Sequence, residues 1–274
     1  MIVFCLAAGI FIACFSIRVE EIREIKLTHL FIFYLSRFIL VPLAVFYVFN
    51  FLGTAYTSPL FLFAALPPGI STPAMNRLFG GNVALSFSIV ILGNLLVPFV
   101  LPSLCLLTLG DSATLDVTQM FYTLIFSILT PILFFQLFKN KKSVQEFITR
   151  EGSFLTTIFI GITIAVAVGK GRSQILQNPL SLLPILLIST ALICLVYAYG
   201  WFFMRKTSKK SKITYALGSG AINISLGVTL ALLYFPTEVS LFLTLAEVPW
   251  ILAFMPFKKF IAYQPEETVY ARTT

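Results

Sequence analysis

Two charged residues stand where this chain can least accommodate charge. Arg37, in "LSRFILVP", and Glu247, in "AEVP", each lie about ten residues inside a long apolar run, roughly 15 Å deep at helical rise. A guanidinium there is a fixed positive charge that can replace a bound cation or contact an anion, and a carboxyl can pair with it or carry a proton. Two polar segments accompany them, "LPPGISTPAMNRLFGGNVALS" (66–86) and "ALGSGAINISLG" (216–227). Pro67, Pro68 and Pro73 remove three backbone donors, and Gly69 lets the chain turn. The freed carbonyls, with the hydroxyls of Ser71 and Thr72, become ligands for an ion or a polar solute. In hydrocarbon, such unwound backbone survives only where protein or a water-filled cavity satisfies it. Two breaker-rich segments therefore predict a binding site. Each is followed by a span with a polar residue beside a proline: Asn94 and Pro98 in "GNLLVP", Glu247 and Pro249 in "AEVP".

The elements that must position these groups are membrane helices. Of 274 residues, 58% are hydrophobic and 11% charged, about half the charge of a soluble domain. Apolar runs divide the chain into nine expected spans, at 1–17, 28–50, 57–78, 83–107, 117–138, 153–170, 180–204, 212–234 and 238–257. The expected class is all-α and polytopic. With loops assigned alternately, one side collects sixteen basic residues, from Arg18, Arg23 and Lys26 to Lys258, Lys259 and Arg272. The other side collects only Lys170 and Arg172, so the positive-inside rule puts the N-terminus outside and the C-terminus in the cytoplasm. A first segment with its basic residues after the apolar run, not before it, reads as a span of a multi-pass cell-membrane protein and not as a signal peptide.

The net charge of +8 is explained by these loop clusters and not by a nucleic-acid face. Cys5, Cys14, Cys105 and Cys194 lack metal-type spacing and read as packing residues. The absence of GxxxxGK[ST] argues against ATP drive. With His29 as its single histidine, at a span end, and few intramembrane acids, the chain does not look like a membrane enzyme. The outer acids Asp111 and Asp116 read as loop residues. Five spans separate the two breaker-rich ones, and an odd repeat unit inverts orientation. The pattern fits two inverted five-helix repeats with the first helix missing, and with two broken helices crossing.

"PPGISTPAMNRLFGGNVALS" resembles the segment "PGGxxSNxxTxLAxGNVALS" of the bile acid:sodium symporter family. "ALGSGAINISLGVTLALLYFP" is similar to that family's second crossing helix, and "GIFIACFSIRVEEIR" to its second span. The order is kept over the whole chain, starting one span late, and "GNVALS" is the specific part; the rest is compatible with the wider superfamily that includes arsenite and auxin efflux carriers. The resemblance implies a panel, here 1–27 and 108–178, and a core, 28–107 and 179–260, with 261–274 a cytoplasmic tail. It implies sodium bound behind the crossing and an organic anion bound between the two parts. Of the family's ion ligands, hydroxyls survive at Thr72 and Ser86, a residual sodium site, and Asn223 is retained, while Asn76 lies one turn beyond the lost asparagine. The family's carboxylate falls on Gly218, its Thr after "GNVALS" on Val90, the Gln before Asn223 on Ile222, and the Gln of its second site on Arg37. A hard cation wants several oxygens and a carboxylate, so sodium coupling is doubtful.

Two readings of the buried charges stay open: Arg37 replaces the cation, holding the crossing together or contacting the anionic substrate directly, with Glu247 as partner or as an H+-coupling group, or the two form a structural ion pair. The leading expectation is a secondary active transporter of a small or amphipathic organic anion. Thr72, Ser219 and Asn223 would supply hydrogen bonds to it, Gly69, Ser71 and Asn94 would line the site, and Na+ or H+ would be the coupling ion without any other cofactor. The expected partners are the substrate and the bilayer, and the chain reads as a monomer. A proton-coupled efflux carrier and a transport-inactive sensor or scaffold of the same fold are the alternatives.

Overall fold

The protein is represented by a computed structural model, which describes residues 1–15, 27–110, 116–204 and 207–264. The described residues are helical: α1 (Ile2–Cys14), α2 (Leu27–Leu35), α3 (Val41–Phe51), α4 (Thr57–Ala65), α5 (Thr72–Phe79), α6 (Val83–Leu109), α7 (Val117–Phe138), α8 (Lys142–Lys170), α9 (Arg172–Gln177), α10 (Leu182–Phe203), α11 (Lys209–Gly220), α12 (Ile224–Tyr234), α13 (Thr237–Leu252) and α14 (Phe254–Tyr263). Six continuous stretches are long and apolar enough to cross a bilayer: Leu27–Phe51, Val83–Leu109, Val117–Phe138, Lys142–Lys170, Pro179–Phe203 and Thr237–Tyr263. Their outward faces carry bare apolar side chains such as Leu95, Phe99, Phe126, Leu133, Leu187 and Leu195, which lipid solvates and water does not.

Three expected spans take another form. Residues 1–17 are helical over Ile2–Cys14, and 57–78 and 212–234 are each broken into two short helices, α4 and α5, then α11 and α12. The breaks are where the two halves of the chain meet. The link before α5 and the link before α12 pair as antiparallel backbone, Pro68 opposite Ile222. The Gly69 amide donates to the Ala221 carbonyl and the Asn223 amide to the Pro67 carbonyl, both at 2.8 Å. Groups freed by the breaks thus satisfy one another, as hydrocarbon demands. A stretch hydrophobic on every side must be buried on every side: Leu60, Phe61, Leu62, Phe63 and Ala64 of α4 are all fully buried.

Around the crossing, α1 packs on α7 and α8, α10 on α11 and α13, and α3 on α4. Between apolar helices in lipid, close approach and interhelical hydrogen bonds drive association. Gly200 shows the first: a Cβ there would lie 2.2 Å from the Tyr215 carbonyl oxygen, so α10 and α11 touch backbone to backbone.

Several boundaries differ from expectation. α8 begins at Lys142, eleven residues before the expected 153, because the charged turn after α7 is itself helical. Leu27–Phe51 contains a π-helical turn at Ser36–Leu40. The last span is interrupted by a turn at Ala253 and continues as α14 to Tyr263, so the first residues of the expected tail are helical. Asp116 is more than a loop residue, since its carboxylate accepts from the Gln119 amide at 2.8 Å and caps α7. Arg18, Arg23, Lys26, Asp111, Arg205, Lys206 and 265–274 lie outside the described residues.

Candidate functional site

Arg37 is fully buried on the π-helical turn, within a cluster formed by Leu30, Phe33, Tyr34, Phe38, Leu85, Ile89 and Tyr215. Tyr199 donates to Ser36 Oγ at 2.6 Å, and Ser36 donates to the Ile32 carbonyl. The extra residue in the turn re-aims its side chains, as such bulges do at functional sites. Arg37 Nη1 donates to the Ala64 carbonyl at 2.7 Å and Nη2 to the Ser219 carbonyl at 2.8 Å. Nε donates to the same Ser219 carbonyl at 3.1 Å and to Ser219 Oγ at 2.8 Å. Both carbonyls belong to the last turn of a broken helix, α4 and α11, where no intrahelical partner exists. Each such end carries about half a negative charge. Two of them offset one guanidinium, and no carboxylate takes part: the ion pair among the described residues is Arg150–Glu151. Of the two open readings, the Arg37–Glu247 ion pair is therefore not formed.

A second cluster joins the start of α5 to α6. Thr72 Oγ1 donates to the Ala221 carbonyl at 3.1 Å. Asn76 Nδ2 donates to Ser86 Oγ at 2.9 Å and to the Thr72 carbonyl at 3.2 Å. Thr72, Asn76 and Ser86 are fully buried, and Asn76 Oδ1 has no hydrogen-bond partner. These oxygens are neutral and close together, without a carboxylate among them. Asn94 sits nearer the bridge and donates through Nδ2 to the Pro68 carbonyl at 3.1 Å.

On the opposite face of the crossing lies a cavity of about 180 Å³. One wall comes from α1 and α8, through Gly9, Ile10, Thr156, Phe159 and Thr163; the other is Gly69, Ser71, Asn223 and Ser225 at the two breaks, with Glu247 and Trp250 on α13. Glu247 is the one carboxylate in this lining, and no Lys, Arg or His joins it among the described residues. α5 and α12 both begin here. Asn223 Oδ1 accepts from the Leu226 amide at 3.1 Å and caps α12, whereas Ser71, at the same place before α5, makes no side-chain cap. Helix starts carry positive partial charge. Trp250, one turn beyond Glu247, donates from its indole to the Gly220 carbonyl at 2.9 Å.

The ten sequence candidates thus divide. Gly69, Ser71, Asn223 and Glu247 meet at the cavity. Arg37 and Ser219 form one buried knot, Thr72, Asn76 and Ser86 another, and Asn94 braces the bridge. Ser219 also donates to the Val196 carbonyl at 2.6 Å, so its hydroxyl faces protein on both sides. Trp250, Thr156, Thr163 and Ser225 escaped sequence reading. Trp250 sits one turn from Glu247 in a breaker-bearing span, a signal that was available.

The profile of the SBF-like CPA transporter family matches residues 2–255. The chain belongs to that family. Over 183 residues it is 25% identical to the Bacillus subtilis (strain 168) protein named uncharacterized protein YbaS, covering 65% of this chain and 60% of that one. The chain thus matches about three fifths of that relative's length. Membership of the SBF-like CPA transporter family, with six long apolar helices, makes this a multi-pass membrane protein of a transporter family.

Proposed function

We propose that this protein is a secondary active transporter of a small amphipathic organic anion, coupled to protons through Glu247. The observation that carries the reading is the cavity Glu247 shares with the starts of α5 and α12. Two helix starts with hydroxyl and amide groups favour an anionic headgroup, and Ile10, Phe159 and Trp250 favour an apolar body. An anion and an ionised Glu247 repel each other strongly in so small a site. The anion is therefore held best when Glu247 carries a proton, and the pair crosses together.

Sodium is dispensable in this scheme because Arg37 already supplies a positive charge to the crossing. Thr72, Asn76 and Ser86 are a weak cation site at best, with three neutral side-chain oxygens. In alternating access, α1, α7 and α8 form the panel, and the crossing with α2, α3, α6, α10 and α13 forms the core. The reading includes two inverted repeats lacking a first helix, nine crossings in all, and a monomer in the cell membrane with its N-terminus outside. Neither ATP nor nucleic acid has a role in it.

The test is uptake of carboxylates and sulfonates of graded length into proteoliposomes. A pH gradient, alkaline inside, is expected to drive accumulation, and a sodium gradient at equal pH is not. Accumulation driven by sodium alone sinks the proton scheme. Thermal stabilisation by an anion with no accumulation under either gradient replaces the carrier with a binding protein of the same fold.

A further inference from the structure

A second cavity lies away from the crossing, on the outer face of the helix group. It is a groove of about 520 Å³ between α10 and the α13–α14 pair, walled by Cys194, Tyr197, Ala198, Trp201, Phe257 and Phe260. Pro249 and Pro256, both in its lining, stand on either side of the turn at Ala253 that separates α13 from α14. Along α10 the lining runs from Thr190 to Phe202, about 18 Å at helical rise. That is close to the hydrocarbon depth of one leaflet, about 15 Å. An acyl chain fits both its length and its apolar lining.

The lining itself is apolar, and basic residues stand beside one end of it. Lys258 and Lys259 fall between the lining residues Phe257 and Phe260 in sequence and are exposed, and Lys209 donates to the Gln264 carbonyl at 2.6 Å, tying the start of α11 to the end of α14. The described stretches 207–213 and 254–264 hold five Lys and no Asp or Glu. Such basic sites between helices select anionic headgroups.

The inner wall leads to the crossing. Tyr197 packs on Phe257 with ring centroids 4.9 Å apart, and a Cβ on Gly220 would lie 2.3 Å from the Tyr197 ring. The Tyr197 ring therefore covers the end of α11, next to the Ser219 carbonyl that receives Arg37. The Tyr197 hydroxyl is buried without a partner, which leaves this wall incompletely satisfied.

We propose that this groove holds one acyl chain of an anionic phospholipid, with the phosphate against Lys258 and Lys259, and that its occupancy steadies the crossing through Tyr197.

The experiment is lipid competition in nanodiscs made from equal phosphatidylglycerol and phosphatidylcholine, followed by detergent extraction, mass spectrometry of retained lipid, and thermal unfolding. For the native protein, two lysines at an anionic headgroup predict phosphatidylglycerol enrichment of roughly tenfold or more, with a higher Tm than in phosphatidylcholine alone. Ala198→Phe, which fills the groove, and the double variant Lys258→Glu, Lys259→Glu are each expected to abolish both effects. The lysine pair is exposed, so that variant keeps the test open if Ala198→Phe fails to fold. Equal retention of the two lipids, or enrichment that persists in the lysine variant, overturns the proposal. So does a lipid-free dimer in which Cys194, the exposed cysteine, cross-links to Cys194 of a second copy.

Discussion

The two faces of the crossing hold their charges in opposite ways. Behind it, Arg37 is fully buried, and its donors go to protein acceptors at Ala64 and Ser219. In front, Glu247 lines an open cavity and has no ion-pair partner among the described residues. A guanidinium keeps its charge at any physiological pH and binds in a fixed fork, which suits a joint between two helix ends. A carboxyl can gain and lose a proton, which suits a step that must reverse in each cycle. Permanent charge thus serves architecture here, and in the proposed mechanism exchangeable charge is what transport uses.

The strongest way to break this contrast is Arg37→Gln. It leaves the Ala64 and Ser219 carbonyls short of donors inside apolar surroundings, a loss of the order of 2–6 kcal/mol at about 1–3 kcal/mol per stranded acceptor. Thermal unfolding in detergent should then fall by about 10 °C or more, and a drop of only a degree or two would show that the joint holds without the guanidinium. Glu247→Gln is the mirror test. It should leave Tm nearly unchanged while proton-driven uptake falls at least about tenfold, a barrier change of about 1.4 kcal/mol; a large loss of stability would move Glu247 to the structural side.

Smaller changes sharpen the same division at the helix starts. Asn223→Ala removes the cap of α12 and should cost about 1 kcal/mol, or roughly 2–4 °C in Tm. Ser71→Ala, where no cap bond is made, should leave Tm unchanged and alter only substrate affinity. Replacing sodium with choline should shift neither Tm nor uptake. A sodium-dependent rise would assign Thr72, Asn76 and Ser86 a working cation site.

Much of the fold was readable because membrane helices are limited to a few forms. Pro67, Pro68 and Gly69 announced the first break, and the small residues from Gly218 to Gly220 the second. The structure breaks the first helix there, over 66–71, and the second just beyond those small residues, over 221–223, with Gly218 to Gly220 forming the last turn of α11. Counting residues puts Arg37 and Glu247 at similar positions along their apolar runs, but position along a helix is one coordinate of three, and left open whether the pair meet. They do not. The hydroxyls of Thr72 and Ser219 were candidates for substrate contact, yet both donate to protein carbonyls. A hydroxyl's partner depends on which neighbour lies within hydrogen-bond reach, and that neighbour is about 150 residues away for Thr72.

By itself, then, the sequence determined that the chain is built of membrane helices, roughly where two of them break, and that two charges fall inside apolar runs. These are local consequences of hydrophobic run length, proline and glycine, set before any tertiary contact forms. Tertiary structure decided what each polar group does. The π-helical turn aims Arg37 at two helix ends far apart in the chain, the antiparallel bridge at Pro68 and Ile222 joins the breaks, and the cavity opens only where α1 and α8 face them. In a medium without water, a polar group's role follows from the partner that satisfies it, and long-range packing selects that partner.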